Sequence, residues 1–430
     1  MDSRKILGIF AILGATACNP KAGQVEGAST PQTVTVDTCA SKWVPVGRYA
    51  PGAKVSLEGV NYEAALASVG QSPQGVSRVG PLAFTWHKKG ACTTDPSNDA
   101  VNTTTAPDGN VPNSSVTPVT PAPGFIFSAY KDLSINANWN TLVISTSVTG
   151  TQVPLLQAMG DLPTVSWSFA SGECGNETWG GITGAQVASN VPAWVAAKKR
   201  YILSTGGAAG AFTCATDAGF FAFLDRYNSE YMVGVDFDIE AGQTKEVIDA
   251  LVARAKAAKA QPKYSRLMFS FTIATLGGNT PQSLGEAGIA TLKAIRDGGL
   301  TDYVINLMVM NYGSAAATNC VLTPLGECDM GLSAVQAAAN LNAAYAIPFE
   351  KIALTPMIGG NNTVGETFTL DDVGVVLAYA ADKKLAAVHY WSFDRDVDCL
   401  QTQASPICNN WGKAGTLGFL NKFLSGLDSP

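Results

Sequence analysis

The chain has 430 residues, 46% of them apolar and 14% charged, with a formal net charge of −6. That is enough apolar material for a large folded domain and a smaller one beside it. The mildly acidic balance excludes the basic surface a nucleic acid would need. Two histidines, His87 and His389, and nine cysteines without CxxC or Cys/His spacing argue against a metal site.

At the N-terminus, Arg4 and Lys5 precede the apolar run ILGIFAILGATA (Ile6–Ala17). The run is too short to span a bilayer and reads as an export signal, 1–18. Ala15-Thr16-Ala17 suits ordinary cleavage. Followed by Cys18, it also resembles a bacterial lipoprotein signal, with Cys18 as the lipidated first residue. The first reading implies an extracellular protein and the second one tethered to the cell envelope, and both stand. Setting Cys18 aside leaves eight cysteines, an even number suited to an exported chain, which tips the balance towards Cys18 as a lipidated residue. Plausible neighbours are Cys39–Cys92, Cys174–Cys214, Cys320–Cys328 and Cys399–Cys408, although spacing does not determine connectivity.

Residues 19–38 are small and polar, a tether. Residues 39–92 form a compact unit punctuated by glycines and aromatics. Residues 93–123, with TTTAPDGNVPNSSVTPVTPAPG, have too few apolar side chains to fold and read as a linker. From residue 124 the texture changes to short apolar runs: Phe125–Tyr130, Thr164–Ala170, Arg200–Gly207, Met232–Glu240, Leu267–Ala274, Tyr303–Gly313, Lys351–Gly359 and Ala387–Phe393. Helical segments such as Thr244–Ala260 and Thr291–Gly299 lie between them. Eight strands with helical crossovers predict an α/β fold, a (β/α)8 barrel. A doubly wound open sheet is the alternative, but no glycine-rich phosphate loop follows the first strand, so no nucleotide cofactor is expected.

The run YMVGVDFDIEAG (Tyr231–Gly242) places Asp236, Asp238 and Glu240 at alternate positions. Alternation along a strand puts all three on one face, roughly 6–7 Å apart. In a barrel, Val235, Phe237 and Ile239 would face the helices and the acids the lumen, with Glu240 at the C-terminal rim where barrel active sites lie. Like charges so placed must share protons, and a shared proton can keep Glu240 protonated near neutrality, as a general acid requires. A solvated acidic face on an edge strand is the plainer reading of the three acids alone.

Five motifs, in order through 125–425, change that balance. VGVDFDIE resembles the D-x-x-D-x-D-x-E signature of family 18 glycoside hydrolases, the chitinase family. Asp236, Asp238 and Glu240 match its last three acids, and Val233 stands where the first Asp would be, as in a bacterial subgroup with DFDIE cores. LSTGGAAG (Leu203–Gly210) is similar to the family's S-x-G-G strand, matching Ser204, Gly206 and Gly207. INLMVMNYG (Ile305–Gly313), LTPMIGGNN (Leu354–Asn362) and YWSFDRD (Tyr390–Asp396) resemble its sixth, seventh and eighth strands.

The resemblance implies Glu240 as proton donor. It implies that Asp238 orients the substrate's N-acetyl group and that Asp236 shares its proton. Tyr312 and Met308 would line the sugar pocket, with Tyr312 bonding the acetamido carbonyl. Trp391 would form the floor, and Ser204, Gly206, Asn311 and Met357 would lie at the substrate site. Met310-Asn311 replaces the Tyr-Asp of many members. Family 18 enzymes cleave β-1,4 bonds between N-acetylglucosamine units with retention, so the implied partner is chitin or its oligosaccharides and the expected protein a monomeric exported chitinase. The rivals are an endo-β-N-acetylglucosaminidase acting on another glycan and a sugar-binding protein that has lost activity. Such proteins typically lack the terminal Glu, which is present here. Only 32 residues separate Met357 from Tyr390, one loop and one helix, so a shallow groove and endo-type cutting are expected.

Residues 39–92 resemble the small chitin-binding module of the family 5/12 type at Trp43, Tyr49, Gly52, Val55, Gly59, Tyr62, Gly70, Pro73 and Trp86. Leu66 and Ala67 replace its usual pair of tryptophans, which implies a weak grip on sugar.

Overall fold

The computed structural model describes residues 37–40, 48–49, 54–57, 60–64, 68–69, 86–93, 118–240, 242–401 and 403–427. The export signal, Cys18, Trp43, Gly52, Gly59, Leu66, Ala67, Gly70 and Pro73 lie outside these, as do nearly all of the tether and most of the linker. The chain divides into two compact units, 1–104 and 105–430.

In the first unit, strands Asp37–Thr38, Trp86–Thr93, Val60–Ala64 and Lys54–Leu57 form a sheet in that order, and Arg48–Tyr49 pairs with Ser68–Val69. Val55 and Tyr62 face each other across an antiparallel pair and are both buried. The Cys39–Cys92 disulfide closes the unit.

In the second unit, eight parallel strands close on themselves. They are β1 (Ile126–Asp132), β2 (Thr164–Glu173), β3 (Arg200–Gly206), β4 (Met232–Ile239), β5 (Met268–Ala274), β6 (Val304–Met308), β7 (Ile352–Thr355) and β8 (Ala387–Tyr390). Each pairs with the next, and β8 and β2 both pair with β1, so the sheet is the expected (β/α)8 barrel and the open-sheet alternative falls. Both faces of these strands are covered, so their residues are nearly all buried and read as unbroken apolar runs.

The crossovers include α1 (Asp217–Tyr227), α2 (Lys245–Lys259), α3 (Glu286–Gly298), α4 (Met330–Tyr345) and α5 (Leu370–Lys383), and α6 (Gly418–Gly426) follows β8. Thr216 and Asp329 start α1 and α4 by accepting from the amides of Gly219 (3.0 Å) and Leu332 (2.8 Å), which satisfies donors the helix itself cannot. Gly299, at φ +64°, ends α3 in a left-handed turn that glycine adopts without a Cβ penalty.

The strand ends differ from the sequence expectation on one side. The run Tyr303–Gly313 leaves the sheet at Met308, and Asn311 turns the chain at φ +53°. Between β7 and β8 the chain forms the hairpin Gly359–Gly360/Thr367–Phe368 and then α5. Three disulfides brace the loops at the C-terminal rim: Cys174–Cys214 across the ends of β2 and β3, Cys320–Cys328 after β6 and Cys399–Cys408 after β8. With Cys39–Cys92 these are the four neighbour pairs.

The outward face of β4 anchors the acid row. Phe237 is fully buried, stacked on Phe269 at 6.3 Å and packed on Phe271 at 5.2 Å and on Phe220 of α1 at 6.0 Å. Phe237→Ala should lower unfolding free energy by about 3–5 kcal/mol, from lost burial plus a residual cavity. Denaturant titration would check it, and a loss under about 1 kcal/mol would mean that the layer closes over the gap.

Candidate active site

Asp236, Asp238 and Glu240 rise in one line from the lumen to the mouth of the barrel. Asp236 and Asp238 are buried and Glu240 is half-buried. Each environment is set by the strands on either side of β4.

Asp236 lies level with Ser204 of β3 and Ser270 of β5. Its Oδ2 accepts from Ser204 Oγ (2.7 Å) and Tyr130 Oη (2.9 Å), and its Oδ1 from Ser270 Oγ and Thr272 Oγ1 (both 2.7 Å). Burial pushes this carboxyl above the usual carboxylate range, and the four hydroxyls pull it back. The network continues outward: Asn306 Nδ2 donates to Tyr130 Oη (3.0 Å) and Thr272 Oγ1 (2.8 Å), and Thr355 Oγ1 donates to Asn306 Oδ1 (2.8 Å). Side chains from β1, β3, β5, β6 and β7 thus hold one carboxylate in place. Below it, His389 Nδ1 is 2.6 Å from Ser128 Oγ, and burial lowers the ring to about 3, so it is neutral.

Asp238 is hydrogen-bonded to Glu240, and its Oδ1 has no protein partner. Burial, then the charge of Glu240, then that of Asp236 push Asp238 well above the ordinary carboxylate range. Burial also raises Glu240, opposed by the bond to Asp238 and by the Ala208 amide. The two carboxyls are thus coupled, the bond between them making Asp238 harder to ionise and Glu240 easier while burial raises both.

The S-x-G-G segment lets β3 approach the β4 backbone beside this pair. Gly206 lies level with Asp238 at φ +88°, and a Cβ there would collide with the Asp238 carbonyl. That carbonyl accepts from Gly207 N (3.1 Å) and Gln243 Nε2 (2.5 Å), which fixes the β4 end carrying Glu240.

Trp391 follows β8 and is half-buried. It stacks on Phe169 at 5.6 Å and 28° and leans on Tyr130 at 6.1 Å. Backbone bonds to Pro356 O (2.9 Å) and from Ile358 N (3.0 Å) tie it to the β7 end, beside buried Met357. Met308 is half-buried at the end of β6. Asn311 is exposed and engaged with the β7 loop: its amide donates to Asn361 Oδ1 (3.1 Å), and its Oδ1 accepts from Asn362 N (2.8 Å).

Tyr312 lies apart from the acid row. Its phenol is buried without a hydrogen bond, its amide donates to Glu366 Oε2 (3.0 Å), and the charges acting on it are those of Glu366 and Asp372. Burial lifts Glu366 to about 7, against the amides of Tyr312, Asn311 and Gly313.

Sequence reasoning did not single out Tyr130, Phe169, Ser270, Thr272 or Asn306. Tyr130, at the end of the first apolar run, carried the only signal: a hydroxyl on a strand otherwise suited to the core. Among the described residues, Glu173 and the Cys174–Cys214 pair form the one cluster of metal-ligating side chains, and its sulfurs are bonded to each other.

No protein-family model matches the chain. It is 27% identical over 244 residues to a probable bifunctional chitinase/lysozyme of Escherichia coli, covering 51% of this chain and 26% of that protein. It is 26% identical over 315 residues to endochitinase 11 of Metarhizium anisopliae, covering 66% of this chain and 55% of the other. The chain thus spans about a quarter and about half of the lengths of these curated relatives. Among solved structures, the catalytic domain of a hyperthermophilic chitinase from Pyrococcus furiosus matches with a TM-score of 0.56 and 21% identity, over 73% of this chain and 99% of that one. Catalytic-site mutants of active domain 2 of the thermostable Pyrococcus furiosus chitinase, complexed with chito-oligosaccharides, match with a TM-score of 0.55 and 20% identity, over 72% and 96%. The barrel fold of this chain is that of chitinase catalytic domains.

Because the charge of Asp236 raises Asp238, Asp236→Asn should let Asp238 ionise at lower pH. Carbon-13 NMR titration of the carboxyls would reveal the shift. An unchanged or raised midpoint would mean that Asp236 carries no charge in the folded protein.

Proposed function

We propose that this chain is an exported glycoside hydrolase of the family 18 type, a chitinase that cleaves β-1,4 bonds between N-acetylglucosamine units with retention. The observation that carries the reading is the row of Asp236, Asp238 and Glu240 rising on one strand to the mouth of the barrel, with Trp391, just after β8, stacked on Phe169 of β2. The similarity to proteins called chitinase supports the substrate class.

Ordinary retaining glycosidases place a second carboxylate about 5–5.5 Å from the acid, positioned to attack the sugar carbon. Here the carboxylate bonded to Glu240 is Asp238, below it on the same strand, which suits the substrate-assisted route. Glu240 passes its proton to the glycosidic oxygen. As the C1–O bond breaks, the acetamido carbonyl oxygen of the same sugar bonds to C1, giving an oxazolinium ion. Asp238 takes the acetamido N–H and balances the positive charge that develops there. Water then attacks C1 and gives a proton to Glu240, restoring the configuration. Confining the internal nucleophile beside C1 supplies the proximity an external group would otherwise provide.

Trp391 and Phe169 bind the sugar's apolar face, and Ser204, Gly206 and Tyr130 keep Asp236 and Asp238 in register. Met308, Met357 and Asn311 form the wall on the β6–β7 side, backed by buried Tyr312. The short segment between β7 and β8 leaves the groove shallow, which favours endo cleavage. The signal-like N-terminus and four disulfides favour export, with Cys18 as the lipid anchor if the second reading of the leader holds; Cys18→Ser would then release the protein from membranes. The first unit is a carbohydrate-binding module with a weak grip.

Glu240→Gln should lower kcat on chito-oligosaccharides by roughly 10²–10⁴-fold, the usual worth of a general acid, while still binding them. Asp238→Asn should be similarly severe, and a β-1,4 glucose polymer without acetamido groups should not be cut. Efficient hydrolysis of that polymer, or a sugar trapped covalently on a carboxylate, would contradict the mechanism.

A further inference from the structure

The loop after β1 carries an exposed tryptophan. Trp139 is 60% exposed, and it stands on the same rim as Glu240, because β1 and β4 run parallel and both loops follow strand C-termini.

Its position is fixed from both sides. Asn138 Oδ1 accepts from the amides of Asn140 and Thr141 (both 3.1 Å). Gln152 Nε2 donates to Asn136 O (2.9 Å), and Asn190 Nδ2 to Leu142 O (2.9 Å). The loop lies along the hairpin Thr178–Trp179/Ile182–Thr183. Gly180 there packs so closely on Ser134 that a Cβ would overlap it, and a Cβ on Gly181 would sit 3.8 Å from Trp139 Cη2. One edge of the indole thus points towards the bare Gly181 of the hairpin, while most of the ring stays open.

The hairpin links this indole to the floor of the site. Phe169, stacked on Trp391, precedes Ala170, which pairs with Trp179, and Gly180 and Gly181 come next. One strand-pair spacing and two residues along the hairpin put Trp139 on the order of 10 Å beyond Phe169. No charged side chain occurs from Ile135 to Val148, and Asn140 and Thr141 beside the ring are exposed. A neutral, amide-bearing sugar suits that surface. An exposed tryptophan on a rigid loop offers a stacking face with little conformational entropy to lose on binding.

We propose that Trp139 is an outlying sugar subsite, which stacks on a further N-acetylglucosamine unit of a chain whose reacting unit lies on Trp391. The subsite rests on the function proposed above. It sets the direction of the glycan, which leaves the floor over β1 and β2, and it makes affinity depend on chain length.

Calorimetric titration of the full chain carrying Glu240→Gln, alone and combined with W139A or W139F, with N-acetylglucosamine oligomers of three to six units tests this. The parent should bind the longest oligomers more tightly than the trimer. W139A should flatten that gain by roughly tenfold, the usual worth of one aromatic platform, and W139F should keep most of it. Equal length profiles for the parent and W139A would overturn the subsite and leave the function intact. A parent that binds no oligomer would overturn the function itself, and the subsite with it.

Discussion

Three like charges on one strand can sit inside a closed barrel only if their surroundings grade them. β4 sets the spacing, and closure of the sheet turns every second side chain inward. Depth does the rest. Asp236, lowest, is held by four hydroxyls from β1, β3 and β5. Asp238, one step up, is offered far fewer donors and is forced to share. Glu240, at the mouth, is half-buried and coupled to Asp238. One strand thus carries three acids in three different surroundings, and the neighbours of each, not its type, set how readily it ionises.

The rim is built to keep that gradient still. Arg395 is buried with no acid partner among the described residues, and its guanidinium donates to the carbonyls of Ser405, Ile358 (2.9 Å) and Gly360 (2.7 Å), pinning the disulfide-closed loop after β8 to the end of β7. Burial lowers it only to about 10, so it stays charged. Asp394 meets Lys131 at 2.6 Å in a fully desolvated pair that joins the ends of β8 and β1. Asp396 accepts from the amides of Phe419 (3.0 Å) and Leu420 (2.7 Å) at the start of α6. The run FDRD just after Trp391 is therefore a set of buried clamps on the chain that carries the indole stacked on Phe169.

Much of this was legible in the sequence because it depends on local order. Alternation on β4 placed the three acids on one face. Eight apolar runs marked the eight strands, and cysteines near one another in sequence proved near in space. What escaped depends on closure. Tyr130, Thr272 and Asn306 lie 106, 36 and 70 positions from Asp236 in the chain, and nothing in their own neighbourhoods points to a shared carboxylate. Tyr312 looked like a sugar contact from its motif, but the left-handed turn at Asn311 buries it beside Glu366, and no spacing rule reads a positive φ at an asparagine. Trp139 sits in a stretch of Asn and Thr that has no period at all.

The most direct test of the central claim, that the Asp238–Glu240 proton drives substrate-assisted cleavage, is the anomeric form of the first product. Proton NMR of chito-oligosaccharide hydrolysis by the full-length protein, recorded before mutarotation, should reveal reducing ends that are initially β. An initial α-anomer, or no cleavage by folded protein, would contradict the account.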